Sequence, residues 1–223
     1  MKREIKFSIN KLGEYLTANP SRRRTIIEGQ KKPKKFIVTR YSKARNAIKE
    51  YFINGQGDKT LIKESILKLL HDNYSSDFLE QDRLLCIEAL KLFEASNVDL
   101  DLERFEVVSG SKSRNTLNVE GIDITIVPEV IIFGKIKGSP FVGAVKIYFG
   151  KTAPLDDVAG SYIATMLKMY LNQEYPTKKV NLKFCVAYDL FGDKVHYTPK
   201  SFKLRKKHIQ DACEEIKIKW PHL

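Results

Sequence analysis

Two short stretches decide how the chain folds: Val127-Pro128-Glu129-Val130-Ile131-Ile132-Phe133 and Val142-Gly143-Ala144-Val145-Lys146-Ile147-Tyr148-Phe149. Each is an apolar, β-branched run of strand length. Each carries one ionisable side chain in its middle, Glu129 in the first and Lys146 in the second. A lone buried charge costs several kcal/mol, so such a group needs a partner, a metal or water. Gly134 to Gly138 separate the two runs by a turn, so the strands are expected to pair and the carboxylate to meet the amine.

The pattern extends in both directions. Downstream, residues 154–173 read as an amphipathic helix opening at Pro154 with Asp156 and Asp157 in its first turn. Strands at 181–190 and 193–199 follow, then a basic helix over 200–217. Upstream lie a strand at 104–110 and a strand-rich stretch at 116–134, with Glu120-Gly121 as a hairpin turn. Helices are expected at 8–18, 41–54, 59–71 and 77–96. Asn19-Pro20-Ser21 breaks the first of these. The expected class is mixed α/β: a central mixed β-sheet flanked by helices, with a basic helical region over residues 1–75 and the α/β core over 76–223.

A Pro-acid step on one strand, a hairpin, a strand carrying a lysine and then an amphipathic helix resemble the PD-(D/E)XK nuclease superfamily. The resemblance runs over roughly residues 84–215. It implies a restriction-endonuclease-like core, Mg²⁺ (or Mn²⁺) as cofactor and hydrolysis of phosphodiesters. It places Glu129 on the metal and Lys146 at the nucleophile or the transition state. The pattern departs at one point. An acid is expected two residues before the lysine, and Ala144 stands there. Glu88, on the helix 77–96, and Asp123, which alternates with residues 125, 127 and 129 along an extended strand, are the two candidates to complete a metal site. The resemblance also suggests phage-defence or mobile-element settings. Three alternatives accompany it: a structural Glu–Lys pair on a sheet face, a nuclease-like subunit that binds nucleic acid or assembles with a partner without cleaving, and a protein-interaction module that sets its basic face on an acidic partner.

Charge points the same way. The 223 residues carry 39 Lys and Arg against 27 Asp and Glu, a net of +12. Residues 1–50 hold 15 of the basic and 4 of the acidic residues, which is +11 of that excess. Arg22, Arg23, Arg24, Lys31, Lys32, Lys34, Lys35, Arg40, Lys43 and Arg45 are therefore the expected nucleic-acid contacts. The basic helix 200–217 extends that surface or is a solvated face. DNA is the favoured partner, and a second copy or a partner subunit is left open.

Other classes find no support. No apolar run approaches the length of a membrane span, and residues 1–16 lack the apolar centre of a secretion signal. Cys86, Cys185 and Cys213 are far apart and odd in number, as reduced core thiols in a cytoplasmic protein would be. The four histidines have no zinc spacing, and no phosphate-binding glycine loop or nucleophile elbow is present.

Overall fold

The computed structural model describes residues 4–32, 40–54, 57–74, 76–110 and 115–223. Among the described residues five helices lie in the N-terminal half. A short strand β1 (Ile5–Ser8) runs directly into α1 (Ile9–Thr17), because the Ser8 hydroxyl accepts the Lys11 N–H at 3.2 Å and caps the helix. Asn19-Pro20 ends α1, as the sequence suggests, and then starts a helix the sequence reading does not contain, α2 (Pro20–Lys31). Asn19 accepts the Arg22 N–H at 2.9 Å, and Pro20 occupies the first turn, where its missing N–H costs nothing. α3 (Ser42–Asn54), α4 (Thr60–His71) and α5 (Asp77–Ala95) follow at the expected places.

The remaining chain forms β2 (Glu106–Ser109), β3 (Thr116–Val119), β4 (Ile122–Thr125), β5 (Val130–Ile136), β6 (Ser139–Tyr148), α6 (Asp157–Glu174), β7 (Lys179–Asp189), β8 (Lys194–Tyr197) and α7 (Phe202–Lys219). Two mixed sheets result. The larger has the order β2-β5-β6-β7-β8, with β6 and β7 parallel and the other pairs antiparallel. The smaller has the order β1-β4-β3, with β1 parallel to β4. Both hairpin turns fall where the glycines predict them. Glu120-Gly121 and Lys137-Gly138 each have two successive residues at positive φ, the signature of a type I′ turn.

The five-stranded sheet is covered on both faces, which explains why its central strands read as nearly continuous apolar runs. On β6, Val142 and Ala144 join the core under α1, α2, α6 and α7, while Val145 and Ile147 join the core under α3, α4 and α5. The first core also takes Phe7, Ile9, Leu12, Tyr15, Ile26 and Ile27. Residues 5–31 are thus packed into the body that the sequence reading places after residue 76. Among the described residues no helix is long and apolar enough to cross a membrane.

Candidate functional site: a buried carboxylate held by two cations

The chain crosses from the smaller sheet to the larger between Thr125 and Val130. Glu129 is the last residue of that crossing. Its N–H donates to the Val145 carbonyl at 2.9 Å, and its own carbonyl accepts the Gly110 N–H at 3.0 Å. β6 continues to Tyr148, whereas its pairing with β5 ends at Val130–Val145. The Glu129 side chain takes over the edge that β5 leaves: Oε2 accepts the Ile147 N–H at 2.6 Å. This explains why an acid is tolerated there, since a buried N–H needs an acceptor.

The other carboxylate oxygen meets two cations. Lys146 Nζ donates to Oε1 at 2.9 Å and to the Val127 carbonyl at 2.8 Å. Arg45, from α3, donates to the same Oε1. Glu129 and Lys146 side chains are 3% and 8% exposed, and that of Arg45 is 29%. Burial pulls the Lys146 ammonium below its ordinary value, and Arg45 pushes the same way. Glu129 opposes both. The Arg45 guanidinium also lies over the Phe149 ring, 4.6 Å from its centroid, and Tyr41 stacks on Phe149. The pairing of Glu129 with Lys146 is what the strand pattern suggests. Arg45 comes from 84 positions away, and only its charge was legible.

The other candidate acids do not join this cluster. Glu88 is half-exposed on α5, and its Oε2 accepts Lys151 Nζ at 2.7 Å. Asp123 lies in the smaller sheet, in register with Lys6 of β1 and Asn118 of β3, and accepts the Asn118 amide at 2.7 Å. The expected alternation from 123 to 129 fails because the strand ends at Thr125 and the chain changes sheets. Ala144 is fully buried in apolar packing between Ile131 and Cys185 of the flanking strands. A buried acid not singled out from sequence, Asp189, accepts the Leu155 N–H at 2.6 Å and the Gly192 N–H at 3.1 Å. It ties the turns at the C-terminal ends of β6 and β7.

Mg²⁺ requires several oxygen ligands in near-octahedral array, usually with one or two carboxylates. Here one carboxylate is present, and both of its oxygens already accept from Lys146, Arg45 and Ile147. Position 144 supplies none. Among the described residues no group of three or more His, Cys, Asp or Glu is placed to hold a metal. The residues present do not fit the metal that the family resemblance implies.

The N-terminal cations are distributed differently from the expectation. Arg22 is bonded to Glu14, Arg24 to Glu28 at 2.9 Å, and Lys43 to Asp72 at 3.3 Å. Arg23 bridges to Glu215 of α7 at 3.2 Å and to the Tyr15 carbonyl at 3.1 Å. Lys31 donates to the Trp220 carbonyl at 2.8 Å. Arg40 lies over the Phe78 ring at 5.5 Å. Lys32 is exposed at the end of α2, and Lys34 and Lys35 lie outside the described residues. Several of these cations therefore fasten helices. By contrast Lys200, Lys203, Lys206 and Lys207, at the start of α7, are exposed and have no ion pair among the described residues. No family model matches the chain, and no curated protein matches it.

Proposed function

We propose that the chain is a nucleic-acid-binding subunit on a nuclease-like frame that does not itself cut. One observation carries this reading: the Glu129 carboxylate is neutralised by Lys146 and Arg45 instead of being open to a metal, with Ala144 where a second acid would stand. Element order supports the restriction-endonuclease-like part. A helix (α5), three neighbouring antiparallel strands of one sheet (β2, β5, β6), a crossover helix (α6) and a parallel strand (β7) come in that order, with the β3–β4 hairpin of the smaller sheet inserted between β2 and β5. The basic balance, +12 overall with uncompensated lysines on α7, supports a polyanionic partner, with DNA preferred. Three buried free thiols support a reducing compartment, the cytoplasm.

The test is incubation with plasmid and with single-stranded DNA in Mg²⁺, in Mn²⁺ and in EDTA, beside a binding titration over a range of salt. Binding that weakens steeply with salt, without metal-dependent cutting, is the expected result. Metal-dependent cutting that Lys146→Ala abolishes would overturn the reading in favour of an active nuclease.

A further inference from the structure

A cleft of about 340 Å³ lies between α6, α7 and the β3–β4 hairpin. Two side-chain stripes at helical spacing face each other across it. α6 contributes Lys168 and Asn172, four apart, and α7 contributes Phe202, Lys206 and Gln210, again four apart. Lys168 Nζ sits 4.1 Å from the Phe202 ring centroid, which fixes the ammonium at the cleft wall. Burial lowers the Lys168 ammonium from its ordinary value, and the charge of Lys206 acts in the same direction. Two like charges have thus been brought together, and neither has a carboxylate partner among the described residues.

The surroundings relieve that repulsion only in part. Glu120, an acid lining the cleft, is held by the Gln210 amide at 3.0 Å and makes no ion pair with either lysine among the described residues. The Asn172 amide is exposed and has no hydrogen bond among the described residues. α7 has no acid in its first turn but carries Lys203 and Arg205 there, followed by Lys206 and Lys207, at the helix end where the backbone dipole disfavours cations. Arg205, one residue before Lys206, has its Nε buried without a hydrogen-bond partner among the described residues and its guanidinium over the Tyr162 ring. This arrangement disfavours the empty protein and favours an anion. The floor is apolar, built from Leu117, Val119 and Met169. A cation pair beside an apolar floor matches a phosphate joined to a base. The volume is at the small end for ligand clefts, room for one nucleotide and not for a duplex.

We propose that this cleft takes one nucleotide of a single-stranded nucleic acid, its phosphate between Lys168 and Lys206 and its base against the Val119–Met169 floor. The inference rests on the nucleic-acid reading above and assigns the strand state and the place of contact. Bases are available to such a floor only when unpaired.

The experiment is fluorescence anisotropy with a short labelled single-stranded oligonucleotide and with its duplex. The proteins are the full chain, the variant Lys168→Gln/Lys206→Gln, and the control Lys63→Gln/Lys68→Gln, which removes two exposed charges from α4. The cleft variant should bind the single strand at least about tenfold more weakly than the control does, and lose no more duplex affinity than the control. Equal losses for both variants, with salt-sensitive binding by the unmodified chain, would overturn the cleft and leave the nucleic-acid reading standing. So would a loss shared equally by single strand and duplex. No binding of either oligonucleotide by the unmodified chain would overturn both. A free mononucleotide that competes as well, molecule for molecule, as the strand would overturn the strand as source in favour of a soluble nucleotide.

Discussion

Lys146 on β6 reaches the Glu129 carboxylate at 2.9 Å from the neighbouring strand, and both side chains are almost wholly buried. Their pairing is not a closed couple. Arg45 adds a second cation to the same oxygen, so the cluster carries one net positive charge. A buried pair with a surplus cation depends heavily on its single anion. Replacing Glu129 by Gln should leave two cations facing a neutral amide and cost about 3–5 kcal/mol of unfolding free energy in urea. Lys146→Met should cost less, because Arg45 still faces the carboxylate. The double variant should cost less than the sum of the two. A Glu129→Gln protein as stable as the unmodified chain would show that the cluster is not a structural lock.

Alkaline pH tests the core differently. Burial pushes the Cys185 thiol up to about 12, against a weaker opposing hydrogen bond with Thr198. Burial, assisted by the Glu120 charge, pushes Cys213 up to about 12 as well. The folded state keeps these protons when the unfolded chain releases them near 9. Stability from both thiols is therefore complete below about pH 9 and falls as pH rises toward about 12, by about 1.4 kcal/mol per pH unit for each thiol. Lys146 acts in the opposite sense, since its lowered value makes the fold favour its neutral form as pH rises toward 10.5. Urea midpoints measured on either side of pH 9 for the unmodified chain and Cys185→Ala isolate the thiol. The variant should show the shallower decline with pH.

Arg23 and Lys206 should separate stability from binding. Arg23 ties α2 to α7 through Glu215 and to α1 through the Tyr15 carbonyl. Arg23→Ala should cost about 1 kcal/mol of stability with little change in DNA affinity. Lys206 is exposed and makes no ion pair among the described residues. Lys206→Gln should leave stability unchanged or raise it slightly, by no more than about 0.5 kcal/mol, and weaken binding. The reverse pattern in paired unfolding and binding titrations would return the binding role to α2.

How much of this was legible follows the range of the interactions. The Glu129–Lys146 contact is read across one hairpin, and Gly138 gives the register away. The helix starts at Ser8 and Asn19-Pro20 are local chemistry too, although the three arginines after Pro20 read as a charge run and concealed α2. What was not legible is long-range. Nothing local announces that residues 126–129 leave one sheet for another, so period-two alternation wrongly aligned Asp123 with Glu129. Nothing local sends Arg45 to Glu129 or Arg23 to Glu215, and charge alone assigned both to a ligand. Lys168 reads as one polar residue on a mostly apolar helix until α7 is laid beside it.

Gly160, on α6, marks a contact between the crossover helix and the far edge of the sheet. A Cβ there would lie 2.1 Å from Cγ of the buried His196 ring on β8. Helix propensity alone favours Ala over Gly by about 1 kcal/mol, so the sign of the change reports on packing. Gly160→Ala should destabilise by about 1–3 kcal/mol in urea unfolding. Combining it with His196→Ala should recover part of that loss. A stabilised Gly160→Ala protein would mean that α6 and β8 separate easily.

The missing acid can be put back, and the outcome distinguishes a site one substitution short of a metal centre from one rebuilt for another purpose. Ala144 is fully buried, its neighbours in register are Ile131 and Cys185, and its methyl packs into the core beneath α6. An Asp there would bring a carboxylate into apolar packing. Lys146 is two residues along the same face but already bonded to Glu129 and Val127. Desolvation then outweighs any attraction to a lysine that is already satisfied. Ala144→Asp should lower stability by several kcal/mol, and millimolar Mg²⁺ should not restore it. A metal that bound the restored pair would stabilise the folded state by mass action and raise the unfolding midpoint with its concentration. A midpoint of Ala144→Asp that climbs with Mg²⁺ while that of the unmodified chain stays fixed would therefore show that Glu129 can release Arg45 and Lys146 to a metal. A midpoint insensitive to Mg²⁺ in both proteins is the expected result, because two cations and a backbone N–H already occupy the oxygens the metal would need.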